Sequence, residues 1–191
     1  MSSHVSLKTY NFDNIEHLQR KRNKYGIDPS NWRNGVKVES LYKDWKKGEC
    51  TFDKDQIGIL RKARVVSVHC FHINQKGEKL RLVEEKQIWQ NGTICNRGYK
   101  FVSETVTSLE TIEDAAKRAR KEELQLDDPE LQFERMPDQD ENKINNSTTY
   151  TGLRTHYLVY HFKTEIPLRL FKESYKEVED NVTTIFTWEK V

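Results

Sequence analysis

Apolar positions change rhythm several times along this chain. Residues 1–60 are polar with scattered aromatics, and Phe12, Ile15 and Leu18 have the spacing of a short amphipathic helix starting after Asp13 or Asn14. Asp28-Pro29-Ser30-Asn31 reads as a turn. Val38, Leu41, Tyr42 and Trp45 form one stripe, which predicts a second helix over 37–47 with Gly48 as its C-cap. The region reads as a helical arm that packs on the main domain. Over 61–103 the pattern changes to runs of β-branched and apolar residues: Val65, Val66, Val68, Cys70, Phe71 and Ile73, then Leu80, Leu82 and Val83, then Ile88 and Trp89. Gln75-Lys76-Gly77-Glu78 and Asn91-Gly92 are turn signals between them, so two or three antiparallel strands are expected.

The helical period returns at 108–126, with Ile112, Ala115, Ala116 and Ala119 on one face. Thr111 is placed to cap that helix, with Asp114 three residues on, and Glu110, Glu113 and Asp114 lie at the positive end of its dipole. Asp127-Asp128-Pro129 stops it. Residues 134–149 are polar and read as one long loop, of the length that compact domains reserve for function or motion. Tyr157, Val159, Tyr160 and Phe162 predict a strand, Pro167 breaks the pattern, and Leu168–Phe171 and Thr184–Trp188 read as further strands joined by a loop. Strands, one long helix, then strands give an α/β reading with no internal repeat.

Composition narrows the function. Lys+Arg total 32 against Asp+Glu 30, which disfavours a strongly basic nucleic-acid binder and an acidic solvating tail. Mean hydropathy is −0.89, yet four Trp, eight Tyr and eight Phe can supply a core. No window approaches the roughly 18 apolar residues of a membrane span, and Met1–Tyr10 has no secretory apolar region. Cys50, Cys70 and Cys95 give neither a disulfide framework nor a zinc pair. An intracellular protein of the reducing cytoplasm is expected, and the glycosylation-type triplets at Asn91, Asn146 and Asn181 are then chance matches.

The chemically informative segment is Glu104–Leu126, ETVTSLETIEDAAKRARKEELQL. It resembles the signature of the Nudix family: a glycine, five residues, a glutamate, seven residues, Arg-Glu, an aliphatic, any residue, Glu-Glu, any residue, a glycine and an aliphatic. Glu110 takes the first glutamate position, Arg118 the arginine, Glu122 and Glu123 the paired acids, and Leu126 the last aliphatic. Glu104 stands at the first glycine, Ala119 at the glutamate after the arginine, Arg120 at an aliphatic, and Gln125 at the second glycine. The resemblance spans roughly residues 61–190. It implies an α/β/α sandwich with a mixed sheet over 61–191, preceded by the helical extension 1–60.

In the family, glutamates at i, i+3 and i+4 share one helix face and bind Mg²⁺ or Mn²⁺, which neutralise a diphosphate and help activate water. Here Glu122 and Glu123 remain as the implied metal-binding and catalytic pair, while Ala119 removes the third carboxylate. Two carboxylates still suffice for one Mg²⁺ that keeps several waters. Glu134, Asp138, Asp140 and Glu141 are candidate outside donors, and Glu110 with Arg118 is expected to brace the loop against the helix. The implied activity is Mg²⁺-dependent hydrolysis of nucleoside diphosphate-linked compounds. The alternatives are a catalytically inactive relative that binds a nucleotide, RNA or protein in the same cleft, and a structural subunit docking a protein partner through its N-terminal arm.

Other residue groups carry weaker signals. His69 and His72 flank Cys70 but point to opposite faces of a strand, which is poor geometry for zinc, and His156 and His161 read as ordinary half-buried residues. Arg20–Lys24, with Tyr25, Trp32 and Trp45 nearby, reads as solvated helix surface ahead of an RNA contact. Lys79, Arg81, Lys86, Arg97 and Lys100 flank the expected cleft and could meet phosphates. Trp89, Tyr99 and Phe101 could stack on a base, with core packing as the default for strand aromatics.

Overall fold

The structure, a computed structural model, describes residues 8–33, 36–179 and 181–191. The first seven residues of the expected arm and positions 34–35 lie outside the described residues. The fold class is α/β, with antiparallel ladders and, among the described residues, three α-helices. The chain divides into two compact units, one drawn from 1–64, 105–110 and 141–159, the other from 65–104, 111–140 and 160–191.

In the first unit, α1 (Ile15–Lys24) starts where the sequence places it, because the Asn14 side chain accepts the His17 N–H at 2.9 Å. The Asp28 side chain caps the short 3₁₀ turn Pro29–Asn31. α2 (Val38–Lys46) turns Val38 and Leu41 inward. Gly48 follows with φ 76°, and a Cβ there would collide with the Ser108 side chain, so glycine is required twice over. β1 (Lys8–Tyr10) and β2 (Thr51–Lys54) are antiparallel, and β2 pairs with the start of β3 (Ile59–Ile73). Their turn is built by Asp55, whose Oδ1 takes the Ile57 and Gly58 N–H groups at 2.9 Å. The core of this unit gathers Phe12, Leu18, Trp32, Leu41, Phe52, Tyr150 and Leu153. Within it the Tyr150 hydroxyl donates to Asp44 at 2.6 Å.

Residues 134–149 are not one loop. β7 (Glu134–Arg135) and β8 (Glu141–Asn146) both pair antiparallel with β9 (Arg154–Glu165), with the 3₁₀ turn Pro137–Gln139 between them. β8 is almost wholly exposed. Its ladder bonds hold it without an apolar face, so it carries no alternation for the sequence to reveal.

In the second unit the remainder of β3 turns through Asn74–Glu78 into β4 (Lys79–Trp89), with Phe71 opposite Arg81. β11 (Val182–Lys190) lies antiparallel to β4, and β10 (Tyr175–Val178) antiparallel to β11. β5 (Ile94–Cys95) pairs with β4, and β6 (Val102–Thr105) with β3. α3 (Ile112–Leu124) packs on β10 and buries Ala115, Ala116, Ala119 and Leu124. The expected strand at Leu168–Phe171 is instead a 3₁₀ turn over Leu168–Leu170. Pro167 starts it, and Leu168 faces solvent rather than a core. The strand of this stretch is β10, inside the segment read as a loop.

Candidate functional site

The helix α3 is built as its sequence demands. Thr111 Oγ1 accepts the Asp114 N–H at 3.1 Å and donates its hydroxyl to the Asp114 carboxylate at 2.8 Å. Gln125, at the second glycine of the signature, adopts the left-handed φ of 56° that a glycine would take there, and its side-chain amide donates to the Lys176 carbonyl at 3.3 Å. Leu126 is buried, as the last aliphatic should be. Arg120, at the other aliphatic position, buries its stem and donates from its head to the Asp128 carbonyl.

Ala119 is fully buried in the alanine stripe of α3. Glu123 lies one turn further along that face and is buried too, whereas Glu122 is exposed and bonds Arg118 at 3.2 Å. Adjacent helix residues point about 100° apart, so the paired acids diverge. The packing at Ala119 sets a clear expectation: Ala119→Glu pushes a carboxylate into filled space and destabilises the domain by roughly 2 kcal/mol or more. A urea titration measures this, and unchanged stability would show that the site has room for the missing acid.

Glu123 accepts the Ser103 N–H at 2.9 Å. Burial first, then the carboxylates of Glu177 and Glu104, push it well above the usual range, against the Ser103 bond and Arg97. Glu177, on β10, is pushed up to about 7 by burial and by Glu179 and Glu104. The strands below add polar groups where a core is ordinarily apolar. Glu177 lies opposite Thr184, and Thr184 opposite Gln87, whose amide donates to the Thr184 hydroxyl at 3.3 Å. Glu84, only 2% exposed, holds Arg97 through a 2.7 Å bond from Nε and a second contact from the guanidinium edge.

Arg118 lies between Glu122 and Glu104, 3.3 Å from the latter. Glu110 accepts the Thr107 N–H at 2.7 Å and so ties the loop before α3. Three of the four downstream acids are engaged elsewhere, Glu134 with Lys163, Asp140 with Arg135 and Glu141 with Lys143, and Asp138 is exposed. The carboxylates near Glu123 are instead Glu104 and Glu177. Glu104 was visible in the sequence as a break in the signature. Glu177 left no signal, because only the β10–β11 pairing brings it there. Among the described residues, no group of three or more His, Cys, Asp or Glu is placed to enclose a metal ion.

The histidines settle into other roles. His69 Nε2 and His161 Nδ1 are 3.0 Å apart with their rings stacked, and burial and the His161 ring lower the pKa of His69. His72 bonds the Ile166 carbonyl at 2.7 Å, and His156 bonds Asn142 at 2.6 Å.

No family model matches the chain, and no curated protein matches it in sequence. Solved structures do. The NUDIX domain of Shewanella oneidensis NrtR, complexed with ADP ribose, aligns at TM-score 0.42 and 11% identity over 68% of this chain and 73% of that one. A MutT/nudix family protein from Enterococcus faecalis aligns at TM-score 0.47 and 11% identity over 94% of this chain and 57% of its own. The C. elegans Ap4A hydrolase aligns at TM-score 0.38 and 12% identity over 67% and 80%. The chain is similar to Nudix proteins.

Proposed function

We propose that this Nudix-like chain hydrolyses nucleoside diphosphate-linked compounds with Mg²⁺ or Mn²⁺, and that Glu123 and Glu122 serve the cation. One observation carries the reading: Glu123 is buried beside Glu104 and Glu177. The carboxylates of Glu123, Glu104 and Glu177 share this place with the guanidiniums of Arg97 and Arg118, and a divalent cation is a counter-charge suited to it. The donor set fits an ion that arrives with its phosphates, because Mg²⁺ commonly takes one or two carboxylates and fills its other positions with phosphate oxygens and water. A cation held there would neutralise the diphosphate and acidify a water. Glu123 would hold that cation, and Glu104 and Glu177 would add negative charge around it. Glu122, tethered by Arg118, stands at the rim. Glu177, near 7, is suited to accept a proton from water at neutral pH.

A second reading, nucleotide binding without turnover, is favoured by Ala119, whose buried position leaves no third carboxylate on that helix face. Turnover of a panel of dinucleoside polyphosphates and nucleotide sugars separates the two. Product formation with Mg²⁺ or Mn²⁺ supports hydrolysis, and metal-dependent binding without product leaves the second reading.

Thermal melts test the charge argument itself. Glu177 rises from 4.5 to about 7 on folding, so the stability it contributes is full below 4.5 and is lost as pH climbs through about 7. The lowered His69 works the other way, since its contribution grows as pH rises through its titration range. The comparison is therefore wild type against Glu177→Gln. Without metal, the wild type should lose stability relative to the variant between pH 5 and 8, and Mg²⁺ should restore it at pH 8 but not at pH 5. Parallel curves with no Mg²⁺ response would sink the reading.

A further inference from the structure

The least explained polar pair in the second unit is Glu84–Arg97. Glu84 is 2% exposed, on the central strand β4, where an apolar residue would cost less. Its carboxylate takes Arg97 along one edge, from Nε at 2.7 Å and from one terminal nitrogen. Its own N–H donates to the Tyr99 carbonyl at 2.7 Å. Gly98, at φ 65°, turns the chain between the two residues that Glu84 anchors. The guanidinium also lies over the Tyr99 ring, 4.6 Å from its centre. Arg97 is thus fixed on an edge and on a face, although it belongs to an irregular segment between β5 and β6.

A guanidinium has five N–H donors. Glu84 engages Nε and one terminal nitrogen of Arg97, and the second terminal nitrogen bonds no described residue. The same guanidinium interacts electrostatically with Glu123 and Glu177 without bonding either. A fixed cation with donors to spare beside metal-seeking carboxylates is suited to one class of ligand group, a phosphate oxygen shared between the cation and the arginine.

We infer that Arg97, oriented by Glu84, is the phosphate-gripping residue of this site, and that the group it takes is the diphosphate of the ligand. This rests on the proposed function. Arg97 sets ligand affinity, while Glu123 sets cation affinity, so the two roles separate experimentally. Glu84 is a positioning residue, acting only through Arg97.

The experiment is calorimetry with Mn²⁺ alone, followed by inorganic pyrophosphate at saturating Mn²⁺. The proteins are the wild-type chain of residues 1–191, Arg97→Lys and the double variant Arg97→Gln/Glu84→Gln. The double variant avoids leaving Glu84 charged and buried alone, and its melting curve checks that it folds. Arg97→Lys keeps the charge but loses the two-pronged geometry. The expected result is that all three bind Mn²⁺, while pyrophosphate affinity falls at least about tenfold in the double variant and by less in Arg97→Lys. Equal pyrophosphate affinity in wild type and double variant overturns the inference and leaves the proposed function standing. Wild type that binds Mn²⁺ but not pyrophosphate does the same. Wild type that binds no Mn²⁺ removes the proposed function and this inference with it.

Discussion

Glu123→Gln is expected to abolish the response of the protein to Mg²⁺, lowering metal-dependent binding or turnover by at least about 100-fold. The substitution is nearly isosteric, and a glutamine oxygen can still accept the Ser103 N–H that Glu123 takes at 2.9 Å. What it removes is the charge. Burial first, then Glu177 and Glu104, raise its pKa well above the usual 4.5, so the pocket disfavours its charged form until a cation arrives. The stability that protonated Glu123 contributes is full below 4.5 and falls as pH rises above that value, so the metal-free variant should gain on the wild type as pH climbs from 5 to 8. Glu122→Gln should do far less, since Glu122 is exposed and engaged in an i,i+4 pair with Arg118. Melting curves with and without Mg²⁺ read both effects. A Glu123→Gln protein that keeps its Mg²⁺ shift would end the assignment of this carboxylate.

Phe52→Ala should cost about 3–5 kcal/mol, a large share of the 5–15 kcal/mol typical of a domain. Phe52 is fully buried on β2, and Phe12 meets it edge-on with ring centres 5.2 Å apart. Phe12 in turn meets Trp45 of α2 at 5.2 Å. Truncating Phe52 leaves a cavity between the N-terminal helices and β2, and rigid rings on several sides limit how far it can collapse. Denaturant unfolding followed by tryptophan fluorescence reports directly, since Trp32 and Trp45 sit in or against this core. A loss below about 1 kcal/mol would mean that the N-terminal segment is only loosely applied to β2.

That core also shows where reading the chain locally runs out. The helix starting after Asn14, the turn at Asp28–Asn31 and the helix near 37–47 were all legible, because caps and apolar spacing are local properties. Their joining with Tyr150 and Leu153 was not, since those residues lie about a hundred positions away in a stretch with no matching signal. β8 was missed for a related reason. Its stability comes from backbone pairing with β9, which any polar sequence can make. Leu168–Phe171 failed in the opposite direction: apolar composition suggested a strand, but Pro167 directs it into a 3₁₀ turn, and among the described residues it pairs with no strand.

The sequence by itself determined the helix α3, its Thr111 cap, its buried alanine face and the order of acids along it, because a helical period converts spacing directly into direction. It also marked Glu104 and Gln125 as departures from a recognisable signature. Only the tertiary structure decided what those acids face. It set Glu122 outward and Glu123 inward, brought Glu177 beside it through the β10–β11 ladder, and locked Arg97 onto Glu84. Those outcomes depend on which strands pair and which surfaces bury, so they arise from contacts between residues far apart in the chain. Burial then sets the protonation of Glu123, a property that the same Glu-Glu pair on an open helix would not possess.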